Sequence, residues 1–179
     1  FTQYTFHVQK LILHRASMKY YEDYLRAHGV EVAYVEVDAY EKTLYALGHA
    51  TCYDVADFDL LKGLKESLET LTILSSPNFY NTTDDTHFMH HFYMNQRKRL
   101  GILMDGDKPQ GGQWSFDSDN RHKLPKGITL PLWRHVENAY IQEAREYVRG
   151  FKTFGEDHPF YYPVTHKEAK ETLAYFFEW

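Results

Sequence analysis

Three histidines, His87, His90 and His91, fall at i, i+3 and i+4 in one amphipathic stretch. On a helix that spacing puts three imidazoles on one face, where they could ligate zinc or another transition metal. No cysteine and no obvious fourth ligand accompanies them, and the HExxH pattern is absent. Exposed or capping histidines are the stronger reading, and a metal-dependent hydrolase the weaker. Asp117, Asp119 and Asn120 carry part of a calcium loop, but the central glycine and the distant bidentate Glu of an EF-hand are missing. Gly111-Gly112 neither follows a strand nor opens an apolar helix, so it reads as a tight turn rather than a phosphate cradle. The same stretch is unusually dense in chemistry, with Trp114, Phe116, Asp117, Asp119 and Arg121 close together. Arg97, Lys98 and Arg99 form one basic cluster, and Arg121, His122, Lys123 and Lys126 a second. Beside exposed aromatics such clusters could meet a nucleic-acid backbone; the competing reading is a solvated helix end plus a polar loop. Cys52, between Thr51 and Tyr53, reads as a buried, inert thiol. Spacing nominates neither a nucleophile–base pair nor a paired acid and base.

The elements that must position these residues alternate in type. Leu11, His14, Met18, Tyr21 and Leu25 recur at helical spacing, and Gly29 supplies a stop. Val30–Val37 alternates and is rich in β-branched residues, which predicts a strand. A short helix over Tyr40–Leu47 precedes a second strand at Ala50–Val55. Asp57 caps a helix striped by Leu61, Leu64 and Leu68, and Leu71–Leu74 is a third strand. Such alternation predicts parallel strands joined by crossovers, hence an α/β, Rossmann-like doubly wound sheet. A helix is expected over Asp84–Leu100, with cations at its C-terminus. Gly101–His135 is rich in Gly and Pro and has little periodicity, which marks a functional loop or linker. Helices are expected over Glu137–Arg149, with Ile141, Ala144 and Val148 on one face, and from the capping box Thr165-His166-Lys167-Glu168 to Trp179. The organisation expected is an α/β domain over residues 1–100 and a helical, irregular extension over 101–179. The chain opens without Met and on a helix and stops inside an apolar face, so a preceding strand and a following segment are expected.

Composition bounds the function classes. The chain has 179 residues, 20 basic and 25 acidic side chains and a net charge of −5. That balance argues against a whole-surface nucleic-acid binder but not against a local basic patch. One cysteine excludes an intrachain disulfide framework. No apolar run reaches the ~18–20 residues of a membrane span, and no signal pattern opens the chain. A cytoplasmic setting without membrane contact is expected. Aromatic residues make up 17% of the chain, more than a core alone needs, which points to a planar ligand or a partner surface.

The run His14-Arg15-Ala16-Ser17-Met18-Lys19-Tyr20-Tyr21 resembles the first helix of the prokaryotic photolyase-related flavoproteins, the iron–sulfur bacterial cryptochromes and (6-4) photolyases. A more specific block follows. It comprises Phe92-Tyr93-Met94, Arg97-Lys98-Arg99-Leu100-Gly101-Ile102-Leu103-Met104, Lys108-Pro109, Gly111-Gly112-Gln113-Trp114-Ser115-Phe116-Asp117 and Asn120-Arg121. Tyr162-Pro163-Val164-Thr165 is a third match in the family's order.

The resemblance implies an antenna-type α/β domain and a connector leading to a helical catalytic domain that holds FAD and a [4Fe–4S] cluster. It implies a ribityl lumazine antenna walled by Leu11, His14, Arg15, Val35 and Glu36. His14 stands where lumazine-binding relatives carry an aliphatic residue, so a pterin-like chromophore or an empty site is the alternative. It also implies that Trp114, Asp117 and Arg121 border the pocket for damaged DNA. The function expected is the antenna and connector part of a deoxyribodipyrimidine photolyase-like repair flavoprotein, inactive without its flavin half. The alternative is a light-sensing cryptochrome, or a nucleotide- or flavin-binding interaction module that repairs nothing.

Overall fold

The computed structural model describes residues 4–78 and 88–178. His87 of the histidine cluster, the first turn of the helix expected from Asp84, and Trp179 lie outside the described residues. The chain forms two compact units, one from residues 1–46 and 129–179, the other from residues 47–128. It is a mixed helix and strand protein with small parallel sheets.

The discontinuous unit opens on β1 (Phe6–His7), which runs parallel to β6 (Thr153–Phe154), with Phe6 opposite Thr153. A short strand thus precedes the first helix, where the sequence pattern alone predicts a helical start. Helix α1 (Val8–Ala27) begins where the His7 ring accepts a hydrogen bond from the Gln9 amide. It ends where Gly29, at φ +79°, lets Val30 N–H reach back to the Leu25 carbonyl. Helix α1 packs on α5 (Ala139–Val148), and the two are joined by the segment before α6 (His166–Glu178). The core is Leu11, Ile12 and Ala16 from α1, Ile141, Ala144 and Val148 from α5, and Phe160 and Val164. Ala16 and Ala144 let the helix axes approach, and Phe160 fills the space their small side chains leave. The Ile141–Ala144–Val148 face is the one the sequence predicts.

Helix α1 differs from expectation. Its buried residues are Leu11, Ile12, Arg15, Ala16 and Glu22, while His14, Met18 and Tyr21 are exposed. The apolar stripe misidentifies the inward face because a charged arginine and a glutamate, each paired, take core positions. The stretch expected as a strand at Val30–Val37 joins no ladder among the described residues. The alternation itself survives, with Val32, Tyr34 and Glu36 half-buried between exposed neighbours. Side-chain period alone does not supply a hydrogen-bonded partner.

Glu168 completes the expected capping box and also ties two helices. Its carboxylate accepts from the Val164 and Thr165 amides and from the Asn138 side chain, while Asn138 Oδ1 caps α5 by accepting from Ile141 N. Burial opposes the Glu168 charge, but these hydrogen bonds prevail and hold its pKa below the ordinary value.

The second unit contains β2 (His49–Tyr53) and β3 (Thr70–Leu74), parallel and in register from His49–Thr70 to Tyr53–Leu74. They are joined by α3 (Phe58–Ser67), capped by Asp57 accepting from Leu60 N. Helix α2 (Tyr40–Leu47), nearly all of it in the first unit, precedes β2 in the chain. Helix α4 (Met89–Leu100) leads into the two-residue strands β4 (Met104–Asp105) and β5 (Lys108–Pro109), which pair antiparallel. Leu68 is the one buried hydrophobic residue of this unit among the described residues.

Candidate functional site

The residues singled out by the sequence fall in two places, each built around a buried arginine. In the discontinuous unit Arg15 is 5% exposed. Its Nη1 donates to Glu36 Oε2 at 2.5 Å and to the Tyr34 hydroxyl at 3.5 Å. Its Nη2 donates to Glu143 Oε1 at 2.6 Å, and Nε to the same carboxylate at 3.2 Å, a bidentate arrangement. The guanidinium lies 3.8 Å from the centre of the Tyr147 ring. Burial works against its charge, but the hydrogen bonds it donates to Glu143 and Glu36 prevail and raise its pKa further. The same contact, ahead of an opposing effect of burial, lowers the Glu36 pKa from its ordinary value. Leu11, Arg15 and Glu36 are therefore engaged in the core and its ion-pair edge. His14 and Val35 are exposed.

In the continuous unit the chain from α4 to residue 120 encloses an open cleft of about 790 Å³. One wall is Met89, His90, Tyr93 and Arg97 from α4; the other carries Trp114, Ser115, Phe116, Asp117 and Asn120. Arg97, 7% exposed, reaches from the first wall to the second. It donates to the carbonyls of Ile102 at 3.4 Å, Leu103, and Trp114 at 3.1 Å, and to the Tyr93 hydroxyl at 3.3 Å. Its guanidinium carbon lies 5.3 Å from the Tyr93 ring centre and 5.4 Å from that of Trp114, and Lys98 Nζ is also 5.4 Å from Trp114. Two cations thus back one indole. The turn between the strands and Trp114 needs Gly111, at φ +78°, where an added Cβ would come within 2.8 Å of Phe116 Cζ. Leu103, whose carbonyl Arg97 holds, has φ +53°.

Trp114 and Asp117 both line this cleft. Arg121 lies on the exposed turn Asp119–Arg121 and does not line it. Sequence reasoning missed Arg97, taking it for one of three cations at a helix end; its i, i+4 spacing from Tyr93 was the available signal. A third feature lies in the discontinuous unit, where Leu130, Pro131, Leu132, Trp133, Tyr161, Tyr162 and Pro163 line an apolar hollow of about 780 Å³. No group of three or more metal-ligating side chains occurs among the described residues, and none of their helices is long and apolar enough to cross a membrane.

The connector block, which lines much of this cleft, is the most specific of the three stretches that carry the family resemblance. Residues 1–162 match the deoxyribodipyrimidine photo-lyase-related protein family. The chain belongs to that family. It is 33% identical over 149 residues to "Uncharacterized protein R852" of Acanthamoeba polyphaga mimivirus, covering 70% of this chain and 76% of the viral protein. It is 30% identical over 95 residues to the "(6-4) photolyase" of Agrobacterium fabrum (strain C58 / ATCC 33970), covering 50% of this chain and 18% of that enzyme. Both the Arg15 network and the Arg97 cleft lie inside the family match.

Proposed function

We propose that this chain is the antenna and connector part of a photolyase-like DNA-repair flavoprotein, with the Arg97 cleft turned toward damaged DNA. The observation that carries this reading is the pairing of Trp114 and Asp117 on one wall of an open aromatic cleft in a chain of this family. An indole backed by Arg97 and Lys98 offers a face for an unstacked base. The Asp117 carboxylate accepts from base N–H groups, and exposed Arg121, with Lys123 and Lys126 near it in sequence, neutralises phosphate. Such a cleft takes a nucleotide only after it has left the duplex, which costs least at a lesion.

Bound FAD would supply a light-driven electron for such repair. Cys52, the only cysteine, does not fit a four-thiolate [4Fe–4S] cluster, so no cluster is assigned to this chain's residues. Four of the five guanidinium N–H groups of Arg15 are spent on Glu143, Glu36 and Tyr34. A lumazine or pterin-like antenna on this face would therefore rest on the outward residues His14 and Val35 and not on the guanidinium.

The test compares binding of a lesion-bearing duplex and an undamaged one. The chain should prefer the lesion, and Trp114→Ala and Asp117→Asn should each abolish most of that preference. Equal affinity for both duplexes would sink the DNA-facing reading. FAD binding or light-dependent repair by this chain alone would sink the assignment of chemistry to another part of the protein.

A second reading is favoured by the viral relative, which the match covers over 76% of its length. On that reading the module acts in binding or light sensing without repair. Repair of a defined lesion by the full-length protein separates the two.

A further inference from the structure

We infer that Arg97 is the positioning residue of the cleft, fixing Trp114, and through it the wall that carries Asp117, without itself touching nucleic acid; this rests on the DNA-facing reading above. Arg97 holds both arms of the turn that carries the wall. Ile102 and Leu103 lie before the β4–β5 hairpin and Trp114 after it, and one guanidinium takes a carbonyl from each arm. The planar fork is what permits this, since its donors sit on three separate nitrogens and reach carbonyls that lie apart, whereas the three donors of an ammonium all sit on one nitrogen. Among the described residues no carboxylate pairs with it; its partners are backbone oxygens, the Tyr93 hydroxyl and two aromatic faces. Carbonyl partners fix the path of the chain whatever side chains it carries. The unit's hydrophobic burial is limited to Leu68 among the described residues, so the placing of Trp114 rests on its polar and cation–ring contacts, of which Arg97 makes two and Lys98 one.

Because Arg97 is buried, it is not one of the cations that neutralise phosphate. Its loss should act on geometry and leave the electrostatic component of binding intact. That separates it from Arg121, which is exposed.

The experiment uses the full chain with Trp133 and Trp179 replaced by Phe, so that Trp114 is the sole indole. In that background Arg97→Lys should raise acrylamide quenching of Trp114 at least twofold and cut lesion preference about tenfold. The slope of log affinity against log salt should stay unchanged. Arg121→Ala should leave the quenching alone and reduce the slope by about one phosphate contact. Arg97→Met is the stronger variant; should it unfold the unit, Arg97→Lys still decides. Wild-type quenching and wild-type lesion preference in Arg97→Lys would overturn the inference. A salt slope that falls in Arg97→Lys as it does in Arg121→Ala would overturn it too, by making Arg97 a phosphate contact. If the parent background shows no lesion preference, the DNA-facing reading fails, while the quenching result still judges the positioning role.

Discussion

The two buried arginines are neutralised in opposite ways. Arg15 sits at the edge of a hydrophobic core and is met by two carboxylates. Arg97 sits in a unit with little buried apolar surface and is met by carbonyl oxygens and aromatic faces. Carboxylates titrate; backbone carbonyls do not. The first arrangement secures packing between α1, α5 and the 30–37 segment, and the second secures the path of a turn. The same side chain thus serves a stability role in one unit and a shaping role in the other.

The largest expected effect lies at the carboxylates that meet Arg15. Replacing Glu36 and Glu143 together by Gln leaves the Arg15 guanidinium buried without a counter-charge. This should cost about 3 kcal/mol in urea unfolding, the low end for a broken buried pair. The low end applies because the carboxylates are 40% and 43% exposed and partly screened. Arg15→Met should cost less, since the freed carboxylates can hydrate. If Arg15→Met is the worse of the two, the guanidinium acts chiefly by packing on Tyr147. In the other unit Gly111→Ala should cost roughly 1–2 kcal/mol through its left-handed backbone. It should also move the emission of Trp114, because the new methyl group meets Phe116. Glu168→Ala should cost about 1 kcal/mol by uncapping α6, measured as a lowered Tm with Trp114 emission unchanged.

The smallest effect is acid sensitivity. Glu36 and Glu168 are depressed below the ordinary carboxylate value of 4.5, so their contribution is complete above that pH and is lost as pH falls through their folded-state values. Acid titration should therefore loosen hydrogen-exchange protection in α1 and α5, while the Arg97 contacts, made to groups that do not titrate in acid, persist. Loss of Trp114 burial before α1 protection would contradict this.

Local chemistry was the legible part of this molecule. Asp57, Gly29 and the Thr165–Glu168 box announce their helix ends, and β2 and β3 lie within a residue or two of where β-branched runs place them. What the sequence hides are relations across distance. Arg15 and Glu143 are 128 positions apart, so no window shows that the arginine is an inward residue. Tyr20 and Tyr24 contact His166, and Tyr20 also contacts Tyr140, so part of the aromatic excess is an edge-to-face cluster among α1, α5 and α6. At the candidate site Trp114 and Asp117 were legible because they are close in sequence. Arg97 was not, because its partners are carbonyls, which every residue carries.

The split of one unit across the chain also governs the order of synthesis. Helix α1 leaves the ribosome early, but its packing partner α5 begins only at Ala139. At about 5–20 residues per second, α1 waits on the order of ten seconds with Leu11, Ile12 and Ala16 uncovered. The stretch 47–128 is complete before that wait ends and can close by itself. Chaperone dependence, if it exists, should fall on the first helix and not on the cleft.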